Sequence, residues 1–525
     1  MQRFGRFFTT ALLAVGLCGA GAARAQPASD ARQVVTRAAE ALGGVQRIQA
    51  LRTIRLRGYG HDQYQDGGSL ITTEPTAPEK MTIVTAYERV IDLANNRTRV
   101  RAKQSRAFVF AAQAMMEGRP IDQALDGDVA FDVAAGGAAR RQSSETAMRR
   151  RMELLANPIV AVRAALDSRS RVANRRTEGT ATLVDVATAS GESFTLAVTN
   201  STGLPVWVRW VGPHENLGDL TYRAEFSGYE PVEGVFVPMS FNVVSDFKDN
   251  VQLRLHVDRY VLDGDVGDLA APASVRSAPA PVQTYTVDAS SVAPGVWFLS
   301  GNGGANSVLL EFEDHLSLFE VPTSRPWTAA LIDKARATVP GKPVTEAIIS
   351  HHHFDHTGGL RTAIAEGLTI VTQTGNVAWF EDLARRRVEA FPDQLSRNPK
   401  PIKTRGVDDH LRLSDSKLTV DVYRVVSNNH MAHGLLAYVP EHRLLIQGDL
   451  FDLNWEVYFW GSTYDDNVSY RKLDVERDVP IHGRVLPVAE VRAKLAEQTR
   501  NAEQLCARVE SAGLSMPGCP LAWDD

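Results

Sequence analysis

The stretch IISHHHFDHTGG, residues 348–359, constrains this chain more than any other. Within six residues it places His351, His353, Asp355 and His356 in the spacing H-x-H-x-D-H. Imidazole nitrogens and carboxylate oxygens are the donor types that zinc takes. The apolar, β-branched VTEAII ahead of the histidines reads as a short buried strand, and Gly358-Gly359 followed by LRTAIAEGL reads as a turn into a helix. A strand that ends in a tight loop lets side chains several positions apart converge. A solvated histidine tract would carry no such strand and glycine turn around it.

At 525 residues the chain exceeds one ordinary core, so two or three domains are expected. Its 57 Lys and Arg against 62 Asp and Glu give a net charge of −5, with no basic excess to argue for nucleic acid. The first 25 residues read as a signal peptide: Arg3 and Arg6, the apolar run FFTTALLAVGLCGAGAA, and a small-x-small site at Ala23-Arg24-Ala25. Its removal deletes three arginines and no acids, taking the net charge to −8. Leu17 before Cys18 disfavours a lipid anchor. No later run is apolar for the roughly eighteen residues of a spanning helix. The expected address is periplasmic or secreted. Of the cysteines, Cys506 and Cys519 remain after cleavage; they either bridge and pin the C-terminal tail or stay as two buried thiols.

Residues 30–50 read as a helix, and from Leu51 to about Lys103 the pattern alternates as in long antiparallel strands. Residues 145–168 read as helical with an interruption at Pro158, after which strands resume up to about residue 263. The N-terminal domain, 26–274, is therefore expected to be mainly antiparallel β. The Ala-, Pro- and Ser-rich segment around 275–284 reads as a linker, and 285–525 as alternating α and β. There, Ser324 is expected to cap a helix, NVAWFEDLARRRVEAF to form a helix up to Pro392, and 488–510 a long C-terminal helix. Three more donors fall at strand ends: His430 in SNNHMAHG, Asp449 in RLLIQGD and His482 in VPIHGRVLP.

On these motifs residues 285–525 resemble the metallo-β-lactamase fold superfamily. HHHFDH is similar to its signature loop, the His430 segment to its next metal histidine, QGDL to its bridging aspartate and PIHG to its last histidine. The resemblance implies an αββα sandwich and two metal ions. One would be held by His351, His353 and His430, the other by Asp355, His356 and His482, with Asp449 shared. His433 is the rival in its loop, but it would shorten the step to Asp449. The implied cofactor is two Zn²⁺, with iron or manganese as alternatives. Paired ions of this kind lie about 3.5–4 Å apart and bridge a water whose pKa falls towards about 7. The implied activity is hydrolysis of an ester, lactone, amide or related bond of a small molecule by that hydroxide, with Asp355 orienting the water and shuttling its proton.

His352 would be the non-ligand of the loop, and Glu320 in LFEVP stands where the family usually has an aspartate. Asp449 also bears on the substrate, since the family's dedicated zinc β-lactamases generally lack an aspartate there. Beyond it, Trp455, Tyr458, Phe459 and Trp460 form either an apolar substrate wall, with Trp455 and Tyr458 as candidate contacts, or a buried core. The ALGG…LRTIRLRGYG opening of the N-terminal half and its later STGLPVWVRW…VFVPMSF succession resemble periplasmic lipoprotein-carrier half-barrels. That implies a concave apolar surface for a lipid; the alternative is a plain β domain that shapes access to the catalytic half. A carrier with a regulatory or vestigial metal site is the competing function.

Overall fold

Alternating side chains build the N-terminal half. In Thr53–Gln63, Ile54 and Leu56 point inward and are almost wholly buried while Arg57 and Tyr59 face out, the period-two pattern of a strand with one wet face. The computed structural model describes residues 28–63, 73, 80–106, 118–428, 430–457, 462–516 and 519. Among the described residues, thirteen antiparallel strands form one sheet. Its first strand lies at the centre, pairing with both Met81–Asp92 and the last strand, Val251–Leu262, so that Ile54 faces Ile91 on one side and Leu262 on the other. The sheet's two edges, Ala139–Arg141 and Arg171–Glu178, are consecutive in the chain, and the helices Ser144–Leu155 and Pro158–Leu166 connect them. Ile159 and Val162 join Val35, Ala38 and Leu42 of the N-terminal helix in a core closed against Leu196, Val208 and Val257 of the sheet. The sequence suggests one helix over 30–50; the chain instead makes two, Ala28–Leu42 and Val45–Ala50, broken at Gly43-Gly44.

Two sheets make the C-terminal half. Seven strands between Val287 and Val407 form the first and six between His410 and Pro487 the second. Phe298, Phe319, Ile348, Val420, Leu435 and Ile446 fill the space between them. Helices Arg325–Thr338, Leu360–Glu366 and Val377–Arg385 cover the outer face of the first sheet. Ser462–Arg471 and Val488–Ser511 cover the outer face of the second. This is an αββα sandwich. Ser324 caps its helix, its hydroxyl accepting from Trp327 N–H at 3.3 Å, and Cys506 and Cys519 are disulfide-bonded. No described helix is long and apolar enough to cross a membrane. Within the Ala- and Pro-rich connection, Ala273–Ser277 is helical and Val275 is buried against Ala124, Val129 and Phe131 of the N-terminal sheet.

One expected helix is shorter than its sequence suggests, and the reason lies in the other domain. Val377–Arg385 stops six residues before Phe391. Asp219, at the start of an N-terminal strand, takes the backbone N–H groups of Glu389, Ala390 and Phe391 at 2.6, 2.6 and 3.1 Å. A carboxylate satisfying three donors holds that segment out of the helix. The joint continues through Arg386, which donates to the Leu217 carbonyl at 2.9 Å and to Asp246 at 3.0 Å. It reaches the histidine loop itself, where Asn216 donates to Thr357 Oγ1 at 2.8 Å and to the Phe354 carbonyl at 3.3 Å.

Candidate metal centre

All seven donors named from the sequence lie at one end of the sandwich, beyond the ends of its strands: Asp355 and His356 on the short helix Phe354–Thr357, the others on loops. The strand Val344–Ile348 delivers the histidine loop, Leu444–Gln447 delivers Asp449, and Arg477–Pro480 delivers His482. His430 comes from the loop between Thr419–Arg424 and Leu435–Val439. The loop is bent by its glycines: a Cβ on Gly358 would lie 2.2 Å from the carbonyl carbon of Thr323. Gly448 is equally confined, since a Cβ there would lie 2.4 Å from Ser350 Oγ. Asp449 itself adopts φ 62°, a left-handed conformation uncommon outside glycine and held only where the surroundings fix it.

The side chains form two groups that share Asp449. His351, His353, His430 and Asp449 are one; Asp355, His356, His482 and Asp449 are the other, and in each the donor atoms all lie within 4.8 Å of one another. Asp449 Oδ2 stands 2.7 Å from His430 Nε2 and 3.2 Å from His356 Nε2, and its Oδ1 stands 3.3 Å from His482 Nε2. His351 Nε2 faces His353 Nδ1 at 2.9 Å, and His482 Nε2 faces His356 Nε2 at 3.4 Å. Asp355 Oδ2 lies 3.5 Å from His482, while its Oδ1 is buried with no hydrogen-bond donor among the described residues. His433 is turned away: its ring lies against Gly375 and its carbonyl accepts from Asn376.

Electrostatics tests whether a cation fits. Burial, reinforced for His351 by His356 and for His353 by the Lys80 ammonium and then the neighbouring imidazoles, holds both well below the ordinary histidine range, leaving their lone pairs available as ligands. Burial also opposes charge on His482, yet the Asp449 and Asp355 carboxylates raise it to about 9. His356 is raised well above its ordinary value against burial by Asp449, Asp355 and Glu320. Burial would raise Asp355, but His356 and His482 bring it down to about 2. The second group therefore concentrates negative charge that recruits protons when it has no other cation. Nitrogen facing nitrogen, an orphaned carboxylate oxygen and a donor set of N and O alone fit a divalent metal.

Several residues that support the ligands escape a reading of the sequence. The far nitrogens of three histidines are engaged: His351 Nδ1 with Ser350 Oγ at 2.9 Å, His356 Nδ1 with Glu320 Oε1 at 3.2 Å, and His353 Nε2 with Lys80 Nζ at 3.2 Å. Such partners fix ring orientation. Glu320 is wholly buried and also accepts from Ser350 N–H at 3.1 Å. Lys80 is wholly buried too, and it belongs to the N-terminal half, 271 residues upstream of His351, where no motif marks it. Asn216 is likewise unmarked. His352 packs edge-on against Trp379 with ring centroids 5.7 Å apart. The Trp455 ring lies 5.8 Å from that of His430. Tyr458, with Phe459 and Trp460, lies outside the described residues.

Residues 300–454 match the family model of the metallo-beta-lactamase superfamily, and the match spans the histidine loop, His430 and Asp449. The C-terminal domain has the metallo-beta-lactamase fold. No curated relative matches the chain. Among solved structures, the chain is similar to a metallo-beta-lactamase from Pontibacter korlensis at 15% identity, over 42% of this chain and 99% of that one, with a TM-score of 0.33. It is similar to the DIM-1 metallo-beta-lactamase at 16% identity, over 42% and 100%, with a TM-score of 0.33, and to TMB-1 at 17%, over 42% and 98%, with a TM-score of 0.32. The family and the His/Asp groups together imply a divalent metal and point to a metallo-hydrolase.

Proposed function

We propose that this chain is an exported zinc hydrolase with two metal ions, cleaving an ester, lactone, amide or related bond of a small molecule. The observation that carries this reading is the pair of four-donor groups meeting at Asp449. His351, His353 and His430 would hold one ion, Asp355, His356 and His482 the other, and Asp449 both. When bound, such ions supply a nucleophilic water at neutral pH and polarise the scissile carbonyl. The residues do the rest. Asp355 presents Oδ1, buried and without a donor, to the proton of the attacking water and passes it towards the leaving atom. Glu320 and Ser350 keep the rings of His356 and His351 in place. Trp455, beside His430, is the apolar wall against which the substrate lies. Export rests on the leader read in residues 1–25, which lie outside the described residues.

The test combines metal analysis with a panel of chromogenic lactam, lactone, thioester, carboxylic ester and phosphodiester substrates. Two zinc ions per chain, turnover of one class, loss of that turnover in Asp449→Ala and loss on EDTA dialysis are expected. Full metal occupancy without turnover of any class would instead favour a binding or carrier protein, a reading supported by the large cavity between the domains.

A further inference from the structure

A cavity of about 1810 Å³ runs between the N-terminal sheet and the metallo-beta-lactamase domain. One end is bounded by Thr323, Phe354 and Asp355, so it opens onto a residue of the second donor group. From there it extends over the sheet, where Leu56, Tyr87, Phe194, Trp210, Phe241 and Leu255 line it and are themselves buried. Val243 and Leu253, opposite each other on adjacent strands, add a half-buried apolar pair to the lining. Arginines 149, 171, 209 and 387 line it as well, beside Glu145, Glu153 and Glu215. Both signs are present, so the wall selects neither a polyanion nor a polycation. Sites for drug-sized molecules occupy roughly 300–1,000 Å³, and a small ester seated at Asp355 would leave most of this space unused. Asn216 fixes the sheet against the histidine loop and Asp219 fixes it against segment 389–391, so the two ends of the cavity belong to one site.

We propose that the substrate is an amphiphile, with its scissile ester or amide at Asp355 and an apolar chain lying along the N-terminal sheet. This rests on the hydrolase reading above and names its substrate class. Water adds its oxygen to the acyl carbon, the bond from that carbon to the leaving oxygen or nitrogen breaks, and one water proton passes through Asp355 to the leaving atom. The apolar chain is held by burial alone. Each methylene that leaves water is therefore expected to raise kcat/KM about threefold to fourfold until the sheet is covered.

Two measurements on the full mature chain test it. The first is kcat/KM across p-nitrophenyl esters from acetate to laurate. The second is binding of 11-(dansylamino)undecanoic acid followed by fluorescence, in the wild type and in Asp449→Ala, where turnover is not needed. A rising chain-length series, saturable probe binding in both proteins, and loss of both the series and the probe binding in Leu253→Arg would support the proposal. Val243→Ser, a milder change in the same pair, should flatten the series partly and guards against misfolding of the arginine variant. A flat series with acetate turnover and no probe binding would overturn the amphiphile and leave the hydrolase standing. Probe binding with no turnover of any ester, amide or other substrate class would overturn the substrate assignment together with the hydrolase and make the cavity a carrier site.

Discussion

At Glu320 the backbone adopts φ 80°, and its carboxylate is committed to Ser350 N–H and His356 Nδ1. The sequence marks this residue only as a departure from the family pattern, because its partners lie 30 and 36 positions away. Removing it in Glu320→Ala frees the His356 ring. Affinity for the second metal should fall about 10–100-fold, read by competition with a fluorescent zinc chelator, while the first group keeps its ion. A second buried carboxylate gives a stability test at a residue outside the two donor groups. Burial raises Asp478 to about 7, against the pull of Gln447 and Tyr464. Its proton is bound more tightly folded than unfolded, so its contribution is fully present below about pH 4 and is lost as pH rises towards 7, on the order of 4 kcal/mol at most. Asp478→Asn should come closest to the wild type in thermal midpoint near pH 4 and exceed it by a growing margin from there to pH 8. A parallel pair of curves would contradict this.

Elements with strong periodicity or strong punctuation were legible: the strand before His351, the Ser324-capped helix, the break at Pro158 and the long C-terminal helix. Arg171–Glu178, Lys403–Val407 and His410–Ser414 were not, because they are polar strands near sheet edges with mostly exposed side chains, and pairing rather than burial makes them strands. Residues 386–391 read as helix because nothing local says that Asp219 will capture their N–H groups. The histidine loop was legible since its donors and glycines are contiguous. Its shape should be correspondingly intolerant. In Gly358→Ala the new Cβ meets backbone, the Thr323 carbonyl, which has no rotamer by which to yield. A loss of about 1–3 kcal/mol is expected, with a lower thermal midpoint and reduced metal content in the same preparation. Unchanged metal content would show that the loop can open without moving His353, Asp355 and His356.

On the scale of the whole molecule, the sheet and the metallo-beta-lactamase domain are joined at the segment 214–219, and this joint has a built-in pH dependence. His214 Nδ1 accepts from the N–H groups of Asn216 and Leu217, both at 3.2 Å, so the turn that carries Asn216 to the histidine loop needs a neutral imidazole. Its ring packs edge-on against Phe354, with centroids 5.2 Å apart. Burial, with Arg386 and Arg325 nearby, lowers it to about 4. An exposed histidine takes its proton near pH 6.5. The folded joint therefore binds fewer protons than the opened one between about pH 6.5 and 4, and its stability falls as pH drops through that window, on the order of 3 kcal/mol in all. Hydrogen exchange of segments 214–219 and 386–391 should quicken between pH 7 and pH 5 more than that of the two sandwich sheets, after correction for intrinsic rates. His214→Asn places a neutral amide oxygen near the Nδ1 position and should remove the extra acceleration while leaving exchange at pH 7 nearly unchanged. If the two proteins exchange alike at pH 5, the joint is held without His214, which then only fills space beside Phe354.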